Sequence, residues 1–99
     1  MPAKDTVEAK ISGGKNVVVF SKSYCPYCNK TKQLLQSLGE DFDSYELDQL
    51  EDGSEWQAYL GDKTGQRTVP SVFIGQKHIG GNSDLQALHS KGELKKLLA

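Results

Sequence analysis

The β-branched run Asn16–Ser21 (NVVVFS) leads almost directly into Cys25-Pro26-Tyr27-Cys28, and this junction constrains the fold more than any other feature of the chain. Such a run has the pattern of a buried strand. The residues after it read as a helix. Pro26 falls in the first turn, where a missing N–H costs nothing. Leu34, Leu35 and Leu38 supply an apolar stripe, and Gly39 is a stop signal. Both cysteines therefore stand where strand gives way to helix.

The remaining segments extend this pattern. Val7 and Ile11, four apart, fit one face of a short first helix ended by Gly13-Gly14. Asp43–Asp48 alternates Tyr45 and Leu47 with polar residues, as a half-buried strand does. Glu51–Lys63 places Trp56, Tyr59 and Leu60 on one helical face, and Gly65 ends that stretch. Val72–Ile74 and Lys77–Ile79 flank Gly75-Gln76, a hairpin signal. Gly80-Gly81-Asn82-Ser83 opens a helix with Leu85 and Leu88 inside, and an amphipathic stretch, Glu93–Leu98, closes the chain. The predicted order is α-β-α-β-α-β-β-α, an α/β fold. Its first strand, helix and second strand form a right-handed parallel unit, and its last two strands an antiparallel hairpin. No repeat or linker interrupts the 99 residues, so a single domain over residues 1–99 is expected.

Charge narrows the partners. Twelve Lys+Arg against 13 Asp+Glu leave a formal net charge of −1, without the basic excess of a nucleic-acid binder. Val17–Phe20, the longest strongly apolar run, is far short of the ~20 residues that span a bilayer, so no membrane association is expected. Met1–Gly14 carries Lys4, Asp5, Glu8 and Lys10 and has no apolar core of the kind a signal peptide needs. A cytoplasmic monomer is the expectation.

Two cysteines so close together make a poor staple: closing so small a ring stabilises by only about 2 kcal/mol. Zinc would need two more ligands, and His78 and His89 are too far apart for the usual spacing. No metal is expected. Redox chemistry fits better. The first amides of a helix lack partners and its dipole is positive there, which stabilises a thiolate on Cys25. Lys22 adds a nearby cation. Cys28, one turn further in, is less exposed but within reach of Cys25, so Cys25 is the expected nucleophile and Cys28 the resolving thiol.

With Lys22-Ser23-Tyr24-Cys25-Pro26-Tyr27-Cys28, then Thr68-Val69-Pro70, then Gly80-Gly81-Asn82-Ser83-Asp84, the chain resembles the dithiol glutaredoxins of the thioredoxin-like superfamily. The resemblance runs from about Asn16 to Ala99. It implies a thioredoxin-like fold, a four-stranded mixed sheet flanked by helices, and glutathione as co-substrate. Glutathione carries two carboxylates, an ammonium and a thiol. Lys22 and Arg67 can hold its glycyl carboxylate, and the resemblance adds Gln57 beside them. Val69, biased to extended backbone by Pro70, would pair with the tripeptide as an added strand. The resemblance further implies that Pro70 is cis, with Thr68 part of the same edge. The helix start at Gly81, Asn82, Ser83 and Asp84 offers free N–H groups to the γ-glutamyl carboxylate, and Asp84 can accept from the ammonium. Tyr27 can wall the thiol groove.

The expected activity is reduction of protein–glutathione mixed disulfides and of protein disulfides, with glutathione reductase and NADPH recycling the glutathione. A thioredoxin is the nearest rival, but thioredoxins typically carry Trp-Cys-Gly-Pro-Cys, where this chain has Tyr24 and Pro26-Tyr27 around its cysteines. A second rival, a dimer holding an iron–sulfur cluster, is disfavoured by Pro26, which stiffens the loop. The position of Cys25 predicts a labelling experiment. Iodoacetamide alkylation of Cys25 against pH should show a midpoint at or below about 6.5, and Lys22→Gln should raise it only modestly, because an exposed charge is screened.

Overall fold

The computed structural model describes residues 2–99; Met1 lies outside the described residues. The elements are α1 (Ala3–Gly13), β1 (Val17–Ser21), α2 (Pro26–Ser37), β2 (Asp43–Glu46), a 3₁₀ turn at Leu47–Gln49, α3 (Gly53–Thr64), β3 (Ser71–Ile74), β4 (Lys77–Gly80), α4 (Asn82–Ser90) and α5 (Leu94–Leu98). The sheet order is β2-β1-β3-β4. β1 runs parallel to β2 and antiparallel to β3, and β3 pairs antiparallel with β4. This is the expected mixed sheet and hairpin. Among the described residues no helix is long and apolar enough to cross a membrane.

Every residue of β1 is buried. Successive side chains of a strand point to opposite faces, so this one strand feeds two cores. Val18 and Phe20 pack with Val7, Ile11, Leu47, Trp56, Leu60 and Phe73 on the side of α1 and α3. Val17 and Val19 pack with Leu35, Val72, Ile74, Leu85 and Leu94 on the side of α2, α4 and α5. Phe20 meets Trp56 and Phe73 edge-on and stacks on Tyr45. Each such aliphatic or aromatic side chain stabilises the fold by roughly 1.5–3 kcal/mol through burial.

The second strand departs from expectation. Alternation continues to Leu47, but strand pairing stops at Glu46, because Leu47 turns down into the core as the start of the 3₁₀ turn. Gly53 explains the tightness: a Cβ there would lie 1.8 Å from the Leu47 carbonyl oxygen. The third helix accordingly begins at Gly53 and not at Glu51. On its outer face Tyr59 reaches Glu8 with its hydroxyl and Lys63 pairs with the same carboxylate at 2.7 Å, which ties α3 to α1.

A polar cluster sits under α2. Ser21 and Glu46 are register partners across β1 and β2, and the Glu46 carboxylate accepts from Ser21 Oγ and from Lys32 Nζ on α2. Burial by itself would raise the Glu46 carboxyl, but the bonds from Lys32 and Ser21 outweigh it and hold the group below the ordinary carboxylate range. A lowered folded value means that the stabilisation is present above the ordinary value of 4.5 and is lost as pH falls through the lowered one. Thermal melts of the wild type and Glu46→Gln should therefore differ most near neutrality and converge in acid; a constant gap across the pH range would contradict this.

Candidate functional site

The site grows from the end of β1. Beyond Ser21 the chain makes one tight turn, with Cys25 N–H donating to the Lys22 carbonyl at 3.1 Å. Ser23 fastens that turn to the chain after β2: its N–H donates to Asp48 Oδ1 at 2.9 Å and its hydroxyl to Asp48 Oδ2. Those bonds hold the Asp48 carboxyl below its ordinary range. Cys25 then caps α2. It has extended backbone (φ −89°, ψ 115°), and its sulfur accepts the Cys28 N–H at 3.3 Å. The sulfur thus occupies the place of an N-cap oxygen and satisfies one of the helix's orphan donors.

The cysteines are free thiols in unlike surroundings. Cys25 is half-buried and opens onto the surface, whereas Cys28 is 0% exposed beneath it. Burial pushes the Cys28 thiol up to about 12, and its hydrogen bond with Cys25 works in the same direction. At neutral pH Cys28 is a protonated reserve. This is the division expected from the one-turn offset along the helix.

Two concavities meet at the chain before β3, one of them opening onto Cys25. One, about 380 Å³, is lined by Lys22, Tyr24, Cys25, Pro26, Gln57, Arg67, Thr68 and Val69. The other, about 320 Å³, is lined by Tyr27, Thr68, Val69, Pro70, Gly81, Asn82 and Ser83. They share Thr68 and Val69, and the Val69 carbonyl oxygen lies 3.9 Å from Cys25 Sγ. The Val69–Pro70 peptide is cis, as the resemblance implied. Asp84 stands at the far rim, in a third and larger hollow of about 630 Å³ that also includes Thr68, Gly81 and Ser83.

Every residue singled out in the sequence reaches this surface except Cys28, but several are engaged differently from what sequence spacing conveys. Gln57 Nε2 donates to the Arg67 carbonyl at 2.9 Å, so its amide holds backbone as well as facing the concavity. Arg67 pairs with Asp62 at 3.3 Å; both are well exposed, so the pair holds weakly and the guanidinium can exchange partners. Asn82 Oδ1 takes bonds from Thr31 and Gln86, so its side chain braces α4 against α2 and only its backbone faces the groove. Asp84 Oδ2 accepts the Gly81 N–H at 3.0 Å, closing the first turn of α4. Gly80 makes room for it: φ is +131°, and a Cβ would lie 2.2 Å from that same oxygen.

Sequence reasoning missed several residues. Tyr24, given no role in the sequence, is 69% exposed and walls the first concavity, as Tyr27, 61% exposed, walls the second. Lys30 lies 5.4 Å over the Tyr27 ring. Ser23 and Asp48 hold the turn, and Gln66 braces residues 68–70. An aromatic before a cysteine at a polar helix start was a usable signal for Tyr24; the others depend on contacts between distant segments.

A half-exposed thiol capping a helix, a buried thiol one turn behind it and an extended edge alongside define a thiol–disulfide exchange centre of the thioredoxin-like kind. Comparison with known proteins narrows this. Residues 17–79 match the family model described as "Glutaredoxin". A glutaredoxin from Solanum lycopersicum is 56% identical over 90% of this chain and 82% of its own length. Glutaredoxin-C2 of Arabidopsis thaliana is 54% identical over 90% of this chain and 80% of its own. Among solved structures, the holo form of glutaredoxin C1 from Populus tremula x tremuloides superposes with a TM-score of 0.94 at 47% identity, covering 97% of this chain and 94% of that one. A buckwheat glutaredoxin–glutathione complex superposes with a TM-score of 0.94 at 45% identity, covering 97% and 86%. The chain belongs to the glutaredoxin family, whose members are thiol–disulfide oxidoreductases.

The unequal burial of the two sulfurs predicts unequal reactivity. In the folded reduced protein at neutral pH, iodoacetamide should modify one thiol, identified as Cys25 by peptide mapping, and both only after denaturation. Equal labelling of the two in the native state would contradict the burial argument.

Proposed function

We propose that the chain is a glutathione-dependent thiol–disulfide oxidoreductase in which Cys25 is the nucleophile, Cys28 the resolving thiol, and the surface around Val69 the glutathione groove. The observation that carries this reading is the pairing of a capped, half-exposed Cys25 with an extended edge whose Val69 carbonyl is 3.9 Å from its sulfur. Membership of the glutaredoxin family and the glutathione-bound buckwheat relative support it.

In the proposed cycle, Cys25 thiolate attacks the glutathione sulfur of a protein–glutathione mixed disulfide. The old S–S bond breaks, the protein leaves as a thiolate, and Cys25 carries the glutathionyl group. A second glutathione thiolate attacks that sulfur, releasing oxidised glutathione and returning Cys25 as thiolate. With an intramolecular protein disulfide, Cys25 forms the mixed disulfide. Cys28 then gives up its proton and attacks Cys25 Sγ, which expels the substrate thiolate and leaves a Cys25–Cys28 disulfide for two glutathiones to reduce.

Lys22 and Arg67 would meet the glycyl carboxylate, with Gln57 steadying the Arg67 backbone, and Thr68, Val69 and cis-Pro70 would offer the peptide edge. Asn82 and Ser83 would present their backbone N–H groups to the γ-glutamyl carboxylate, and Gly81, whose own N–H is held by Asp84, would form the wall beside them. Asp84, with one oxygen on Gly81, would turn the other to the ammonium. Tyr27 would cover the thiol. The partners proposed are glutathionylated or disulfide-bonded proteins, with glutathione reductase and NADPH acting indirectly. A glutathione-driven pair works where glutathione is kept reduced, which is the basis for proposing a cytoplasmic location; a chain of 99 residues with its own core is proposed to act as a monomer.

The test separates the cysteines. In an assay on a small glutathione mixed disulfide coupled to glutathione reductase, Cys28→Ser should keep or raise turnover, because one thiolate suffices and the competing internal disulfide cannot form. Cys25→Ser should abolish it. Reduction of an intramolecular protein disulfide should fall sharply in Cys28→Ser. Equal loss of mixed-disulfide turnover in both variants would refute the scheme. Separately, Asp84→Ala should weaken the response to glutathione and leave Cys25 alkylation nearly unchanged.

A further inference from the structure

Gln66 has no place in the proposed cycle, yet its side chain makes three hydrogen bonds, two of them on the proposed peptide edge and one on β4. Its Nε2 donates to the Thr68 carbonyl at 2.9 Å and to the Pro70 carbonyl at 2.7 Å. Both protons of the amide are thereby used, on the two residues that bracket Val69. Its Oε1 faces His78 Nε2 on β4 at 2.9 Å. Because the Gln66 amide nitrogen is committed to carbonyls, its oxygen is the acceptor and His78 Nε2–H the donor. Neutral imidazole with the proton on Nε2 and imidazolium can both make that bond. The backbone of Gln66 is anchored as well, its N–H on Thr64 Oγ1 at 3.0 Å and that hydroxyl on the Leu60 carbonyl at 2.7 Å. His78 is fixed against Phe73, with ring centroids 5.4 Å apart.

We propose that Gln66, held by His78, is a positioning residue that sets the Thr68–Pro70 edge and thereby the preference for glutathione over thiols that lack a peptide backbone. The inference rests on the reading of that edge as the glutathione groove. Gln66 reaches no reacting atom. It takes the carbonyls of residues 68 and 70, and the Val69 carbonyl is left to face Cys25. A loop without regular structure would otherwise leave these carbonyls to water and their orientation to fluctuation, since fixing a residue's backbone opposes conformational entropy. The amide also closes the groove's far side: a Cβ at Gly81 would lie 3.6 Å from Gln66 Nε2 and 3.5 Å from the Pro70 oxygen.

The experiment measures the first half-reaction alone, the second-order rate at which reduced protein attacks a mixed disulfide carrying glutathione or one carrying cysteamine. Gln66→Leu should slow the glutathione reaction about tenfold, the scale set by losing one to two net hydrogen bonds, and leave the cysteamine reaction and the pH profile of Cys25 alkylation unchanged. Gln66→Glu, equal in size but without the amide donors, should show the same collapse of selectivity and carries the test where Gln66→Leu does not fold. His78→Leu should move in the same direction, and adding it to Gln66→Leu should cost nothing further, because the two act as one unit. Wild-type selectivity retained in folded Gln66→Leu or Gln66→Glu overturns the proposal. So does an equal fall with both substrates, which would mean that Gln66 supports Cys25 and not the edge. Absence of any glutathione preference in the wild type would instead overturn the groove itself.

Discussion

The burial of β1 on both faces is the constraint on which the rest of the structure depends. A strand with sheet neighbours on each edge and helices above and below has one accessible end at which to deliver a reactive group. Here that end is the turn Lys22–Cys25, and the requirement that α2 cover the sheet makes the turn short. Cys25 is therefore placed by hydrophobic packing, with its sulfur arriving where the helix has amide donors unpaired. The same packing sends Cys28, one turn later, into the protein. One geometric fact thus produces two thiols of different character from the same side chain.

That difference is electrostatic in origin and mechanistically useful. A buried thiol ionises only at a large cost, and the burial of Cys28 pushes its thiol up to about 12. Cys25 is half-buried, and the Cys28 backbone N–H points at its sulfur. A chain that must react first at one sulfur and then at the other gains order of events from burial alone.

The groove has a second organising centre, away from the cysteines. Residues 66–70 belong to no helix or strand, and the carbonyls of three of them are taken up by side chains: Gln57 from α3 on Arg67, and the segment's own Gln66, backed by His78 of β4, on Thr68 and Pro70. The opposite wall is built in the same way, with Thr31 of α2 bonded to Asn82 at the start of α4. The shape of this surface is held by side-chain amides and a hydroxyl from three different elements and from the loop itself.

Much of this was legible in the chain itself. The apolar run Val17–Phe20, the Cys25–Cys28 spacing, the hairpin at Gly75-Gln76 and the stripes of α2 and α3 reflect local periodicity and turn chemistry, which neighbouring residues determine between themselves. The residues proposed for the groove were singled out through the resemblance carried by Thr68-Val69-Pro70 and Gly80–Asp84, and they line the concavities beside Cys25 and the hollow next to them. Other features depend on segments that meet only in the folded state. β2 ends at Glu46 because the backbone at Gly53 closes on Leu47, and no alternation of apolar and polar residues encodes that approach. Tyr24 is exposed because the turn that carries it is clamped by Asp48, 25 residues from the Ser23 it holds. Gln66 and His78 are ordinary polar residues until the hairpin brings them within 2.9 Å of each other. Local sequence determined the elements and the reactive pair. Tertiary structure decided how deeply Cys28 is buried and which side chains hold the loop, because burial and long-range hydrogen bonds exist only once the sheet and helices have packed.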